Sequence, residues 1–316
     1  KVNKMTTLEN ISLPISEDLH KFKVAYKQSL HSNNPLLQEI VAHVTKSSGK
    51  MMRPILVMLS AGLSGGITES TISAAASLEL LHVASLIHDD VVDNSDMRRG
   101  LASVMAKFEN KAAVLGGDYF LSTALCEAVK TQNIGVMETI SNLGRILIDG
   151  ELLQLTESRN HSFKEDNYFS IIKSKTAALF AASAKLGALT AKSSSEENVE
   201  KLTQLGENIG ICFQIKDDIF DYTPNAQIGK PTLNDIREGK FTLPLIHALE
   251  SIHANEASLI LDAVKKRQFT EDFFYNIGSL VARTGGIEYA EQRMASYKAD
   301  AEKSLSIFAD SEIKQA

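Results

Sequence analysis

The chain has 316 residues, of which 44% are hydrophobic and 23% are charged, and its formal net charge at pH 7 is −6. These values are typical of a globular protein long enough to bury a large core. General nucleic-acid binding requires a basic surface, so the acidic balance argues against that class. It does not exclude an anionic ligand, because a local basic cluster can override the net charge.

Cysteine usage and hydropathy indicate the compartment. Cys126 and Cys212 are far apart, and each lies within an apolar helical pattern, so we expect two buried, reduced thiols. No charged-then-apolar signal segment opens the chain. Charged residues such as Arg53 and Lys185 interrupt every apolar run of about 18 residues. The sequence therefore predicts a cytoplasmic protein without a transmembrane segment.

Helical periodicity dominates the chain from end to end. Pro54 is typical of a first helical turn, and the helix that it opens extends to a stop at Gly65-Gly66. Residues from Pro224 to Gly239 are rich in Gly, Pro, Asn and Asp and are predicted to form a loop. The other predicted helices are 73–93, 114–130, 135–158, 165–192, 196–222 and 241–252, followed by further amphipathic segments. No linker is evident, so residues 1–316 are predicted to form one all-α domain, a bundle of long antiparallel helices around a central cavity.

Two acidic clusters of identical spacing are the most informative motifs. They are Asp89-Asp90-Val91-Val92-Asp93 and Asp217-Asp218-Ile219-Phe220-Asp221. Residues four apart on a helix lie within about 40° of each other, so the first and last aspartates of each cluster share a face. Like charges at this spacing repel, but a hard divalent cation would relieve the repulsion. Magnesium held by few carboxylates completes its coordination with water and phosphate, so the clusters predict a diphosphate clamp.

Basic residues lie near both acidic clusters. A single lysine or arginine is most often a solvated surface charge, but placement beside metal-binding carboxylates favours phosphate binding. Lys50 and Arg53 also flank a predicted helix N-terminus, a position that favours anions. The set is Lys50, Arg53, Arg98, Arg99, Lys175, Lys230 and Lys240.

Over nearly its whole length the sequence resembles the trans-isoprenyl diphosphate synthases, or polyprenyl synthetases. Besides the two acidic clusters, the ordered motifs are Gly49-Lys50-Met51-Met52-Arg53-Pro54, Leu81-His82, Asp96-Met97-Arg98-Arg99-Gly100, Gly117-Asp118-Tyr119, Gly150-Glu151, Lys175-Thr176, Gln214-Ile215-Lys216, Gly229-Lys230-Pro231 and Asp235-Ile236-Arg237-Glu238-Gly239-Lys240. One DDxxD motif is weak evidence, whereas this ordered set is highly specific. The resemblance implies the isoprenoid synthase type I fold and a homodimer.

The resemblance also implies roles for individual residues. The implied ligands of three Mg²⁺ ions, bound with the substrate diphosphate, are Asp89, Asp93, Asp217 and Asp221, with Asp90 and Asp218 in support. The implied contacts of the allylic diphosphate are Arg98, Lys175, Thr176, Gln214, Lys230 and Lys240. Those of isopentenyl diphosphate are Lys50, Arg53, His82 and Arg99. The residues expected to act on the leaving diphosphate, and so to be catalytic, are Asp89, Asp93, Arg98, Lys175, Asp217, Lys230 and Lys240.

The implied chemistry is ionisation, condensation and elimination. Metal ions and basic side chains stabilise the charge on the departing diphosphate, and the allylic cation is attacked by the double bond of isopentenyl diphosphate. The released diphosphate then takes the proton. Water must be excluded from the cation, which suits an apolar helical cavity.

Product length is predicted from the helix that carries the first cluster. Ser85 lies one turn before Asp89 on the same stripe, and Ala84 flanks that stripe. In short-chain members of the family, bulky aromatic residues at these positions close the product tunnel. Small residues here predict a medium-to-long all-trans product of the type used for quinone side chains, which would pass Leu81 and Leu78.

Other functions remain as alternatives. They are a short-chain farnesyl or geranylgeranyl diphosphate synthase, the catalytic subunit of a heteromeric synthase, a terpene cyclase and an inactive regulatory subunit. Lys50, Arg53 and Arg99 argue against a cyclase, which typically lacks the isopentenyl-site bases. Two intact aspartate clusters argue against an inactive subunit.

Overall fold

A computed structural model describes residues 7–46, 49–160, 163–223 and 233–316. The helices are α1 (Thr7–Ser12), α2 (Ser16–Ser29), α3 (Pro35–Lys46), α4 (Met52–Leu63), α5 (Glu69–Val92), α6 (Val104–Lys130), α7 (Ile134–Asn160), α8 (Glu165–Ile172), α9 (Ala178–Thr190), α10 (Glu196–Tyr222), α11 (Asn234–Arg237), α12 (Leu243–Glu250), α13 (Ala254–Lys265), α14 (Glu271–Arg283), α15 (Gly286–Ser304) and α16 (Glu312–Gln315). Short 3₁₀ turns cover Leu13–Ile15 and Leu305–Ile307, and a π-helical turn covers Lys173–Ala177. Strands β1 (Met97–Arg98) and β2 (Leu101–Ala102) form an antiparallel hairpin. The predicted all-α class is confirmed.

Capping explains where the helices begin. α4 carries Pro54 in its first turn, as predicted. α5 begins before the predicted Ser73, because Thr68 and Thr71 form a reciprocal capping box. α6 also begins earlier than predicted, because the Ser103 hydroxyl accepts a hydrogen bond from the Ala106 backbone N–H.

Three local features differ from the sequence prediction. The short β1–β2 hairpin was not predicted. The helix predicted over 165–192 contains the π turn and ends at Thr190. The part of the predicted 224–239 loop that the structure describes contains the short helix α11. Each feature is about one turn long, which is too short for hydrophobic periodicity to reveal.

The chain forms two compact units, neither of which is a continuous segment. Unit 1 comprises Lys1–Gly144, Leu179–Gly206 and Ser304–Ala316, and unit 2 comprises Arg145–Ala178 and Glu207–Lys303. The single-domain organisation stays a prediction.

The core of unit 1 is built around α5, which packs against α2, α4 and α6. α5 and α6 are long and apolar enough to cross a membrane by length and composition, but 78% of the apolar window of α5 is buried in the protein. Burial therefore accounts for the apolar sequence of α5. The corresponding value for α6 is 44%, because one face of that helix is exposed.

Unit 2 has two buried clusters of apolar side chains. One joins α12 to α14 through residues such as Leu245 and Ile277. The other joins α8, α10 and α12 through residues such as Phe169, Ile215 and Ile246. The second cluster supports the helix that carries Asp217 and Asp218.

The two cysteines are free thiols, as predicted. The prediction that both are buried is wrong: Cys126 is exposed and Cys212 is half-buried. Cys126 lies on the exposed face of α6, whose apolar sequence resembles that of a core helix.

Candidate active site

The last turn of α5 and the β1–β2 hairpin bring the first acidic cluster to a basic residue. Asp89 is half-buried, Asp93 is exposed at the end of α5, and Asp90 is buried. Arg99 and Gly100 have positive φ angles of 50° and 78°, as a tight hairpin turn requires. The turn directs Arg98 back to Asp90, and Arg98 Nε donates to Asp90 Oδ1 at 2.9 Å.

Two of the residues predicted to bind isopentenyl diphosphate, the buried His82 and the half-buried Arg53, are close enough in unit 1 for their charges to interact. His82 is 6% exposed, and the Arg53 guanidinium lies over the Phe180 ring, 5.4 Å from its centroid. Among the described residues, His82 Nδ1 and Arg53 Nε have no hydrogen-bond partner. Burial, and then the positive charges of Arg53, Arg99 and Arg98, hold the pKa of His82 well below its usual value. A buried polar atom without a hydrogen-bond partner costs free energy, so Arg53 and His82 are suited to binding an anionic ligand.

Lys50 and Arg99 lie at a large cavity within unit 1. Its volume is about 1550 Å³, and both residues are among those that line it. Arg99 also lies against Gly49, where a Cβ atom would come within 2.8 Å of the guanidinium. The structure thus brings the predicted Lys50, Arg53, His82 and Arg99 into one basic region of unit 1.

Sequence reasoning missed two residues of this region, Glu79 and Tyr26. Glu79 is 4% exposed, and burial raises its pKa although Arg53 and Arg99 oppose the rise. The pKa of Tyr26 is raised by burial and then by the charge of Glu79. An isolated glutamate three residues before His82, in an otherwise apolar stretch of helix, is the signal that could have revealed this cluster.

Hydrogen bonds in unit 2 organise the second acidic cluster. The π turn presents Lys175 and Thr176, and π turns often occur at functional sites. Thr176 Oγ1 donates to Gln214 Oε1 at 2.7 Å, and Gln214 Nε2 donates to Asp218 Oδ1 at 2.8 Å. Tyr168 Oη donates to Asp218 Oδ2 at 2.6 Å. Three predicted site residues, Thr176, Gln214 and Asp218, are therefore in one network, and Tyr168 is a member that the sequence did not reveal.

The Asp221 side chain binds the backbone at the start of α11. Its carboxylate accepts the backbone N–H groups of Asn234 at 2.9 Å and Asp235 at 3.1 Å. The N-terminus of α11 is thereby fixed, and Asp235 is placed among the residues that line a cavity of about 300 Å³ within unit 2. Asp235 is a further site residue to which sequence reasoning gave no role.

The unit 2 cavity combines carboxylates with cations. Its polar lining includes Gln154, Lys175, Thr176, Gln214, Asp217, Asp218, Asp235 and Lys240. Burial raises the pKa of Asp218 to about 7, and the charges of Asp235 and Asp217 add to the rise. Burial and then the charge of Asp221 raise the pKa of Asp235 to about 6. Lys240 pairs with Glu238 at 2.7 Å, and the predicted Lys230 lies outside the described residues.

The donor chemistry of both clusters fits magnesium. Their oxygen ligands suit a hard cation, and a cation in the unit 2 cavity would relieve the repulsion that raises the pKa values of its aspartates. Among the described residues, no group of three or more His, Cys, Asp or Glu side chains could hold a metal ion. Magnesium held by few carboxylates completes its coordination with water and phosphate oxygens, which fits a site that binds diphosphate.

The residues predicted to set product length lie within α5. Leu78, Leu81 and Ala84 are buried, and Ser85 is half-buried with its hydroxyl donating to the His82 carbonyl at 2.9 Å. The unit 1 cavity is lined by a different face of α5, which carries Glu79, Val83, Leu86 and Ile87. The role of the Ser85 stripe stays a prediction.

Replacing Tyr168 with phenylalanine is expected to destabilise unit 2. Tyr168 is 5% exposed, and its loss would leave Asp218 Oδ2 buried without this donor, at a cost of about 1–3 kcal/mol. Urea unfolding would measure the loss. Tyr275, which is 77% exposed, provides the control, because Tyr275→Phe should leave the free energy of unfolding unchanged. Equal stability of the two variants would contradict the importance of the Tyr168–Asp218 bond.

The fold and these clusters define a class of protein: an all-α enzyme with carboxylates for a hard cation and basic side chains for diphosphate. Comparison with known proteins identifies the family. Residues 34–276 match the family model described as polyprenyl synthetase. The chain therefore belongs to the polyprenyl synthetase family, whose members are prenyltransferases that use isopentenyl diphosphate and allylic diphosphates.

Individual relatives match over nearly the full chain. The octaprenyl diphosphate synthase of Haemophilus influenzae is 32% identical, and the match covers 100% of this chain and 96% of that protein. A decaprenyl diphosphate synthase structure from Rhodobacter capsulatus has a TM-score of 0.91 at 32% identity, covering 98% of this chain and 95% of that one. A geranylgeranyl pyrophosphate synthase structure from Bacteroides thetaiotaomicron has a TM-score of 0.83 at 44% identity, covering 97% and 95%.

Proposed function

We propose that the chain is an all-trans polyprenyl diphosphate synthase that adds isopentenyl diphosphate repeatedly to an allylic diphosphate such as farnesyl diphosphate. The observation that carries this proposal is the near-complete match to octaprenyl and decaprenyl diphosphate synthases. The small residues Ala84 and Ser85 support a medium-to-long product, because they leave the helix stripe before Asp89 without a bulky side chain. Such a product suits a quinone side chain.

Each unit supplies charged and polar side chains to the proposed reaction. In unit 1, Lys50, Arg53, His82 and Arg99 bind the diphosphate of isopentenyl diphosphate. Neutral His82 offers its ring nitrogens as hydrogen-bonding groups without adding charge. In unit 2, Lys175, Thr176, Gln214 and Lys240 bind the allylic diphosphate, and Lys230 and Arg98 are proposed to contribute to the same contact.

Magnesium is the proposed cofactor. Asp89, Asp93, Asp217 and Asp221 are the proposed principal ligands, and three ions would neutralise charge on the allylic diphosphate. Asp90 and Asp218 support the ligands, since Asp90 orients Arg98 and Asp218 organises Gln214 and Tyr168. Asp221 is the last residue of the second cluster, and its carboxylate also accepts hydrogen bonds from the backbone at the N-terminus of α11. The basic side chains stabilise negative charge on the leaving diphosphate, and the departing diphosphate accepts the proton released by elimination.

A short-chain synthase is the second candidate. One observation favours it, namely the 44% identity to the structure described as a geranylgeranyl pyrophosphate synthase. The two candidates share chemistry and differ only in the number of condensations. Incubating the purified chain with Mg²⁺, farnesyl diphosphate and labelled isopentenyl diphosphate, followed by chromatographic sizing of the products, separates them. Long products support the proposal, arrest after one addition supports the short-chain candidate, and no incorporation contradicts both.

We further propose that the enzyme is a cytoplasmic homodimer that forms through α6. A stripe of exposed apolar side chains runs along this helix at seven- and four-residue steps: Val114, Leu121, Leu125 and Val129. Leu115 lies next to the stripe and is 68% exposed. Exposed apolar side chains aligned on one helix face are typical of an interaction surface.

Charges placed on this stripe are expected to dissociate the dimer. Leu121→Glu with Leu125→Glu would place carboxylates in an apolar interface, which is strongly unfavourable. Light scattering should then give the monomer mass of 34.5 kDa, against twice that mass for the wild type. Leu259 and Tyr275 are exposed apolar residues of unit 2, so converting both to glutamate provides a matched control that should remain dimeric. A monomeric wild type at micromolar concentration would refute the proposed assembly.

A further inference from the structure

The ammonium group of Lys175 is held by two residues of α7. Lys175 Nζ donates to Gln154 Oε1 at 3.0 Å and forms an ion pair with Glu151 Oε2. Glu151 and Gln154 are three residues apart, so they lie on the same face of α7. The side chains of Lys175 and Glu151 are only 27% and 20% exposed, so the pair is largely shielded from solvent.

A close approach of α7 to the π turn places this pair. A Cβ atom at Gly150 would lie 2.6 Å from Ser174 Cβ and 3.2 Å from Lys175 Cγ. Any larger residue at position 150 would therefore push the helix away from the turn. Gly150 allows the contact, and Glu151 follows it directly in the chain.

The two contacts of the Lys175 ammonium leave one of its N–H donors for a ligand. A lysine ammonium has three donors, and Gln154 and Glu151 take two of them. Lys175 and Gln154 both line the unit 2 cavity with Asp217 and Lys240, whereas Glu151 is outside that lining. Glu151 thus binds the Lys175 ammonium from outside the cavity lining.

We propose that Glu151 is a positioning residue that orients the Lys175 ammonium toward the diphosphate of the allylic substrate. This inference rests on the proposed role of Lys175 in binding that diphosphate. Lysine is a point charge on a flexible stem, so without an anchor it loses much of its orientation. A pre-oriented donor stabilises the charge that grows on the leaving group more than a mobile donor does.

The alternative to positioning is a purely electrostatic role for Glu151, and it predicts the opposite change in diphosphate affinity. If Glu151 served only to neutralise Lys175, its removal would leave a bare cation, and diphosphate would bind more tightly. If Glu151 positions Lys175, its removal weakens the contact because the ammonium is no longer held in place. The sign of the change in diphosphate affinity therefore decides between the two roles.

Glu151→Gln is the test variant, because it removes the charge and keeps the shape. The matched control is Glu207→Gln, since Glu207 pairs at 3.3 Å with Lys173 of the same π turn, and both of these side chains are about half exposed. We expect kcat/KM for farnesyl diphosphate to fall about tenfold or more in Glu151→Gln and to stay within about twofold in Glu207→Gln. The KM for isopentenyl diphosphate should stay within about twofold in both. An unchanged or increased kcat/KM for farnesyl diphosphate in Glu151→Gln would overturn the proposal.

A double-mutant cycle separates positioning from a general structural effect. In a Lys175→Gln background, Glu151→Gln should cause little further loss, because both changes remove the same interaction. Independent, additive losses would show that Glu151 does not act through Lys175. Glu151→Asp, which keeps the charge on a shorter side chain, replaces the Gln variant if that variant does not fold, and it should also lower kcat/KM.

Binding of inorganic diphosphate in the presence of Mg²⁺, measured by calorimetry, gives a readout that does not require turnover. Weaker binding by Glu151→Gln than by both the wild type and Glu207→Gln supports the positioning role. Equal or tighter binding overturns it. Absence of isopentenyl incorporation by the wild type would count against the proposed function alone, so the two failures are distinguishable.

Discussion

Replacing Asp89 or Asp217 with alanine is expected to lower turnover by about a thousandfold or more, because each change removes a proposed magnesium ligand beside the leaving diphosphate. Stability should change little. Each aspartate has a like-charged neighbour four residues away, and removing that repulsion is worth about 0.2–0.5 kcal/mol. Single-turnover assays at saturating Mg²⁺ would measure the first effect, and urea unfolding would measure the second.

The control for these variants is Asp262→Ala on α13. Asp262 is exposed and lies outside the lining of both cavities, so its loss should leave turnover unchanged. A double variant, Asp89→Ala with Asp217→Ala, that turned over at the wild-type rate would refute the magnesium clamp. Loss of activity with gross unfolding would instead show that the aspartates hold the fold together.

Replacing Ser85 with phenylalanine is expected to shorten the product to one or a few condensations. The aromatic ring would occupy the stripe of α5 one turn before Asp89, where the growing chain is predicted to pass. Ser85 is half-buried, so Ser85→Phe should be tolerated better than the same change at a fully buried position. Ala84 is 2% exposed, and Ala84→Phe should also shorten the product, with an overpacking cost of about 1–3 kcal/mol. Chromatographic sizing of the products measures both variants.

Leu86→Phe provides the control for product length. Leu86 is half-buried on the same helix, and it lines the unit 1 cavity on another face. Added bulk at this position should leave the product distribution unchanged. If Ser85→Phe made products as long as those of the wild type, the product tunnel would have to run past other residues.

Long-range periodic patterns predicted the helices well, whereas short features escaped them. The spacing of apolar residues predicted α5, α7 and α10 to within a few residues, because a buried stripe must repeat at the helical period. The β1–β2 hairpin depends on two positive φ angles, and the π turn lies in close contact with Gly150, which is distant in the sequence. Neither leaves a periodic signal. The exposure of Cys126 was also missed, because an apolar helix face has the same composition whether the protein or a partner covers it.

For the site, motif order and spacing were enough to nominate the aspartates and the basic residues, because metal and phosphate chemistry restricts residue type and order. The family that these motifs indicated is confirmed, whereas the roles of the individual residues stay predictions. Only the tertiary structure revealed which side chains orient them. Asp90 binds Arg98, Tyr168 and Gln214 bind Asp218, and Glu151 holds Lys175. The structure also revealed that the buried Glu79 lies near Arg53. Apart from Gln214 and Asp218, which are four residues apart on α10, these contacts join residues that are eight or more positions apart. Their strength comes from burial and distance, and both arise only when the helices pack.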